Sequence, residues 1–468
     1  MKQLLTFILS FVLNFSFSQT WESLDGGLEC TEPSIVSTII GITHDEALNR
    51  IDAFGYFSAD RQCNEFLRFG AWTGIDWDNS ITTCGSAPHS VLNFGNVKYA
   101  SGHLVCGTWD NYFYKLQENE WSLVSSVPAL LGTSLLAEVN ERFYIGAMLD
   151  VQEGEEVPML LEYHPDIDDY TIIAQRVDFS MVKMAEILDY NDTLFIGGKF
   201  DCYNSSLPPN RIYCIAKVED GTIVEVGQGL NQVSNVYSMC VHQDTLFIGG
   251  IFGQQNFPGF TNEEYIFLLY YVNGELKPYH IQTNGYVTSL VSHNDILYVG
   301  GFFTEANDET CYGVFAVDDG EIIWKNMEQF VSISNILVEE FSESIHDMLV
   351  VDDHLYIAGR FEYIGQDGPY GNIAKLSTPL SQFSNLAERK TDWSLVVYPN
   401  PAEETIKVEV PIGAKGTLEI FNNLGQLVRL ETINQSKSNI SVSHLNAGIY
   451  YFTFRTKDAV KSQRVMVR

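Results

Sequence analysis

The residues whose chemistry could be put to work lie between apolar runs. Asp201 and Tyr203, Asn256 and Phe260, Asp308 and Glu309, and Asp367 and Tyr370 fall in or beside four polar stretches: DCYNSSLPPNR (201–211), GQQNFPGFTNEEY (253–265), TEANDETCY (304–312) and EYIGQDGPYGN (362–372). Rings, amides and carboxylates on connecting loops are the makings of a glycan- or protein-binding surface. Solvated loops with no recognition role have the same composition. His242 and His293 hold the same turn position in successive repeats, which favours a shared structural role over metal ligation. The acidic pairs Asp168/Asp169 and Asp318/Asp319 adjoin turns and lack EF-hand spacing, so no cofactor is expected and calcium is the one ion with any support. No catalytic nucleophile or general acid can be nominated.

Eight cysteines show no CxxC spacing of the kind a zinc site uses. One disulfide among Cys30, Cys63 and Cys84 is plausible, and Cys202 with Cys214 could cross a hairpin. Cys311 belongs to the same set of loops, whereas Cys106 and Cys240 fall within strands and read as small buried apolar residues.

These positions are set out by a repeat. DTLFIGG occurs at 192–198 and 244–250, and weaker copies are IDAFGYF (51–57), LVCGTW (104–109), FYIGAML (143–149), LYVGGFF (297–303) and LYIAGRF (355–361). The second glycine position recurs at 55, 107, 147, 198, 250, 301 and 359, a period near 50 that marks one supersecondary unit. Within a unit the pattern predicts four short strands, as in VYSMCVHQD, TLFIGGIF, YIFLLYYVNG and GELKPYHIQ. Seven such units are most economically arranged as the blades of a propeller, because each neighbour covers a face the next leaves bare. Glycines then permit close backbone approach, and the phenylalanine that follows fills the space between blades.

The seventh unit lacks a fourth strand, while WESLDGGL (21–28) resembles the fourth strand of the fourth unit, VEVGQGL. Trp21–Leu28 is therefore expected to complete the last blade and remove two exposed edges. An open solenoid would instead need capping repeats, and none is evident.

Residues 1–18 have the layout of a secretory signal peptide. Residues 19–378 are then the propeller, 379–394 a linker, and 395–468 a small β-sandwich. No later run is apolar enough to span a membrane, so no transmembrane segment is expected in the mature chain. The whole chain carries −33, divided as +1 from Lys2, −37 over residues 19–392 and +3 over residues 393–468. A body this acidic repels phosphate backbones, so nucleic acid is excluded as its partner.

The run ending in GG resembles kelch and galactose-oxidase-like propellers, although the Tyr and Trp usually spaced after GG in kelch units are missing from most units. Tyr398-Pro399-Asn400-Pro401, Asn423-Leu424-Gly425, Leu445 to Tyr450 and the basic strand Lys461 to Arg468 closely resemble the type A sorting domain of the type IX secretion system of Bacteroidetes. In that family this tail carries the body across the outer membrane, to be released or attached to the surface. Gly425 and Gly448 suit turns needing positive φ. The resemblance implies the secretion machinery as a partner and a secreted or surface location, and leaves the body to bind a polysaccharide or protein. The rival expectation is a carbohydrate-active hydrolase or lyase with its carboxylates gathered at the axis, ~5–10 Å apart if hydrolytic.

Overall fold

The structure, a computed structural model, describes residues 20–24, 37–58, 66–78, 80–81, 86–104, 112–127, 130–149, 157–176, 179–203, 211–253, 257, 265–331, 344–382, 395–402, 405–410, 416–422, 427–433, 435, 437–446, 448–455 and 460–468. Residues 1–18, expected to be a signal peptide, and Cys30, Cys63, Cys84 and Cys106 lie outside them. The chain divides into two compact units, one ending at Ser384 and the other beginning at Asn385.

The first unit is all-β. Five four-stranded antiparallel sheets are led by strands Thr38–Asp45, Ser90–Phe94, Asn235–His242, Val287–His293 and Ser344–Val351. An eight-stranded sheet holds two further four-stranded halves, led by Leu130–Val139 and Phe179–Asp189. Each half is antiparallel within itself, and the two meet through single parallel bridges at Thr133↔Lys183 and Gln175↔Thr222. Outside the Thr38 and Ser90 sheets, the leading strand passes to the second through a two-residue turn at positive φ. Asn191/Asp192, Gln243/Asp244, Asn294/Asp295 and Asp352/Asp353 fill that turn, which is the geometry of a type I′ hairpin and favours short polar side chains. The repeated Asp before LFIGG is thus a turn residue.

The two glycines of the repeat face two different neighbours. A Cβ on the first would reach into the next sheet, 2.7 Å from Val236 for Gly197, 2.5 Å from Val287 for Gly249 and 2.6 Å from the Met348 sulfur for Gly300. On the second it would overlap the main-chain oxygen near the start of its own sheet's leading strand: Thr38 for Gly55, Asn235 for Gly250, Tyr286 for Gly301 and Ser344 for Gly359. The phenylalanine that follows turns the other way. Phe252 lies in one buried cluster with Cys214 and Ile215 of the preceding half-sheet, Phe361 in one with Val314 and 5.1 Å from the Phe330 ring, and Phe57 in one with Ala358 and Ile373. Phe57, Phe252 and Phe361 are essentially inaccessible, each burial stabilising by roughly 2–3 kcal/mol.

Leading strands are also tied side chain to backbone. All but Ser90–Phe94 carry a register shift, and in five of them the amide just after it bonds to a side chain of the preceding leading strand. Leu136 N donates to Ser90 Oγ (3.1 Å), Leu290 N to Ser238 Oγ (3.2 Å), Met348 N to Ser289 Oγ (3.0 Å) and Ile42 N to Asp347 Oδ2 (2.9 Å). The Met239 amide serves Glu186 in the same way. A bulge leaves an N–H that the ladder cannot use, and a neighbour must accept it. Gly41 and Leu135 occupy the acceptor position in the other two leading strands and cannot accept. The Leu130 half compensates with its parallel bridge. At the Thr38 sheet, Gly41 instead makes room for the Phe54 ring, which packs with Val91, Ala100 and Tyr114 of the Ser90 sheet.

The amino-terminal strand Trp21–Ser23 pairs antiparallel with Ile373–Leu376 in the register Trp21↔Leu376, Glu22↔Lys375 and Ser23↔Ala374. Tyr370 Oη donates to Trp21 O (3.1 Å), and Trp21 Nε1 reaches Asn326 Oδ1 at 3.5 Å. The first strand in the described chain thus completes the last sheet of the unit, as the missing fourth strand requires. Residues 25–28 of the expected strand lie outside the described residues.

The second unit has a three-stranded and a four-stranded antiparallel sheet sharing one core of Val397, Ile406, Val408, Leu418, Ile420, Phe452 and Phe454. Asn400 ties its two ends: Nδ2 donates to Arg464 O (3.0 Å), and Oδ1 accepts from Met466 N (2.9 Å). Tyr398-Pro399 and Asn400-Pro401 are cis. Tyr398 Oη bonds to Glu409 at 2.5 Å, and Tyr450 Oη donates to Asn446 O (2.9 Å). Gly448 corrects the turn expectation. It opens strand Gly448–Arg455 without positive φ, and a Cβ there would make only ordinary contacts with Tyr450 and Asn446. Gly425 lies outside the described residues.

Two outcomes test this account. Gly301→Ala should lower the urea midpoint by an amount equivalent to ~3 kcal/mol, because backbone must move. Gly274→Ala, at a φ of 85° with open space around it, should cost only ~1 kcal/mol. Enclosure by protein, and then the charge of Asp347, push the Glu186 carboxyl up to about 8. A raised acid favours the folded state below its unfolded pKa, and that contribution is lost as pH climbs from about 4.5 through about 8. Thermal melts of Glu186→Gln should lack this decline and exceed the parent at pH 9 by roughly 3–10 °C.

Candidate binding face

Each sheet presents two ends, one with the tight turns and one with the long connections. Those of the predicted loop residues that are described belong to the second. Asp201 and Tyr203 end strand Leu194–Tyr203, paired with Tyr213 and Arg211, and their side chains are outside the description. Asn256 and Phe260 lie outside the described residues. Asp308 and Glu309 are exposed on a hairpin of strands Glu305–Ala306 and Glu309–Thr310, with Asn307 and Asp308 at positive φ in its turn. Glu309 is held by Lys325.

That hairpin is fastened down. Asn284 Oδ1 accepts from Thr304 N (2.9 Å) and Glu305 N (3.1 Å), and Asn307 Oδ1 accepts from Gln282 N (3.0 Å). Asp367 is exposed. Tyr370 departs from the expectation: it is buried and its hydroxyl is spent on Trp21 O, so it secures the closing strand and does not face a ligand.

Beside the hairpin lies a row of rings that the sequence reading passed over. Tyr265 and Phe267 are near parallel, 6.5 Å apart at 20°, and Phe267 meets Tyr286 at 5.9 Å. Tyr286 in turn meets Phe302 at 6.3 Å and Tyr237 at 6.2 Å. Tyr265 is 53% exposed, Phe267 is buried, and the other three are half-buried. Burial raises the Tyr237 phenol above its usual range, opposed by a hydrogen bond to Asn235. The signal was the period-2 spacing of Tyr265 and Phe267 in YIFLLYYV, which put both rings on one face of a strand.

The tight-turn end holds a cavity of about 330 Å³ lined by Asp45, Arg50, Asn93, Lys98 and neighbours. Its charges are matched internally. Lys98 Nζ lies 3.0 Å from Asp45 Oδ2, contacts Asp52 and donates to Asn93 Oδ1 (2.7 Å), while Arg50 Nε is 3.4 Å from Asp52 and Nη1 is 3.5 Å from Asp78. Burial outweighs Lys98 and raises the Asp52 carboxyl. For Asp45 burial also acts upward, but the hydrogen bond and charge of Lys98 prevail and lower it. The cluster joins the Thr38 and Ser90 sheets where the side-chain-to-amide tie is missing.

His242 and His293 do not share a ligand: His242 Nδ1 meets Ser292 Oγ at 2.9 Å, and His293 Nε2 meets Asp353 Oδ1 at 3.3 Å. Asp168 Oδ1 accepts from Tyr163 Oη (2.7 Å) and Ser126 Oγ (2.9 Å). Among the described residues no group of three His, Cys, Asp or Glu is placed to hold a metal. Cys240 and Cys311 are free thiols, both pushed up to about 12 by burial. The Cys214 thiol is buried and donates to Ser234 O (2.9 Å), while the Cys202 side chain lies outside the description. Among the described residues no helix is long and apolar enough to cross a membrane.

Residues 396–468 match the family described as the secretion system C-terminal sorting domain. No curated protein matches the chain. Among solved structures it is similar to PorZ, an essential surface component of the type-IX secretion system of Porphyromonas gingivalis, with 11% identity and a TM-score of 0.40 over 95% of this chain and 60% of that one. It is also similar to an extracellular domain from B. thetaiotaomicron, with 12% identity and a TM-score of 0.45 over 96% of this chain and 52% of that one. The chain thus spans less than two thirds of either structure. Its carboxy-terminal unit is a sorting domain that addresses it to the type IX machinery, and the protein is secreted and attached to the cell surface.

Proposed function

We propose that the first unit is a seven-bladed propeller of kelch-like or galactose-oxidase-like design, displayed at the cell surface to bind a polysaccharide or protein on its long-connection face. The observation carrying the ring is the succession of neighbours. Thr38–Asp45 packs against Ser90–Phe94, and so on through the leading strands in chain order to Ser344–Val351, which packs against Thr38–Asp45 again. Counting each half of the eight-stranded sheet as a blade gives seven. A ring sets seven sets of connections on one rim, and a rigid scaffold carrying variable loops is suited to recognition.

One observation favours the enzymatic alternative. Burial and the charge of Asp347 raise the Glu186 carboxyl, and two carboxyl groups whose surroundings push their pKa values apart are what general acid catalysis uses. Both groups, however, accept backbone N–H bonds from the following blade, a structural use that makes binding the better reading.

The secreted chain should bind at least one feature of a combined glycan and extracellular-protein array saturably, with no bound glycan consumed. Cleavage of a bound glycan that is abolished in Glu186→Gln would replace binding with catalysis.

A further inference from the structure

We propose that the row Tyr265, Phe267, Tyr286, Phe302 and Tyr237 is a subsite for the sugar rings of a neutral polysaccharide. This deepens the binding reading and rests on it. The cross-strand partner of Tyr265 is Gly253, where a Cβ would overlap the tyrosine ring. The ring therefore lies over bare backbone, held in place from below while more than half of it stays in water. Phe267, on the same face of the strand, extends it nearly in parallel, and Tyr286 carries the row from the Asn235 sheet to the Val287 sheet. Aromatic faces gathered around Tyr286, with Tyr265 exposed at one edge and hydroxyls and amides at the margin, match the alternating C–H faces and hydroxyls of a sugar chain.

Charge narrows the class. Glu305, Asp308 and Glu309 are exposed on the hairpin beside the row, and the nearby Lys325 is already paired with Glu309. Sulfated, phosphorylated or uronic-acid chains would meet like charge there. Size argues against a globular partner. Five rings, of which one is buried and three half-buried, offer at most a few hundred Å², whereas a stable protein interface needs about 800 Å² from each side. A single chain lying along the row fits.

The test is affinity electrophoresis of the full secreted chain through gels containing a neutral β-glucan, xylan or mannan, or an anionic alginate or heparin. The expected result is retardation by at least one neutral polymer and by neither anionic one. Tyr265→Ala and Tyr286→Leu should each weaken that retardation about tenfold or more, equivalent to about 1.4 kcal/mol. Both should keep the parent melting temperature, and Leu48→Asp at the opposite end should bind as the parent does. Neutral binding that survives both tyrosine variants would remove the row and leave the binding reading standing. Retardation by the anionic polymers alone, or array binding to proteins alone, would overturn the ligand class, and an absence of binding to anything would sink both readings together.

Discussion

Glycine at one or both of two adjacent positions on the second strand of each unit is the constraint from which the rest follows. Two adjacent positions there face opposite ways, one toward the bulge of the same sheet's leading strand and the other toward the leading strand of the next sheet. Leading strands crowd against their neighbours, and a methyl group at either position would displace main chain or a packed side chain. Because the approach is that close, the phenylalanine that follows can fill the gap on the other side, and a serine or carboxylate can reach the neighbour's bulged amide.

The exceptions support this reading. Where Gly41 stands in place of an acceptor, the ring of Phe54 enters, and the buried group of Asp45, Asp52 and Lys98 takes over the joining of the sheets. Where Leu135 stands there, two half-sheets are bridged directly. Most of the body's buried charge is thus structural: lysine and arginine are held between carboxylates, and Asp347 and Glu186 are acceptors for amides. Excess acidity remains at the surface, where it favours solubility and disfavours anionic partners.

Legibility differed from residue to residue for physical reasons. Except in the second unit, where the second strand is Val97–Gly102 and not LVCGTW, the repeat, the turns and the strand Trp21–Ser23 were readable because hydrophobic period, Asn and Asp at positive φ, and glycine spacing are local properties. Tyr370 was misread because loop membership says nothing of depth; its ring is covered by the closing strand some 349 residues away in sequence. Gly448 was assigned a turn geometry where the chain instead begins a strand. The aromatic row escaped because its rings come from four separate strands or their flanks, and only register brings Tyr265 beside Phe267 and Tyr286 beside both Phe302 and Tyr237.

The sequence by itself determined that this chain is all-β, built from a repeated four-strand unit, and addressed for secretion by its last 70 or so residues. Those are properties of periodicity and of short motifs, which each segment expresses on its own. Tertiary structure alone decided which polar groups serve as ties and which rings reach water. Burial and hydrogen-bond partnership depend on what the neighbouring sheet contributes, and no segment carries that information within itself.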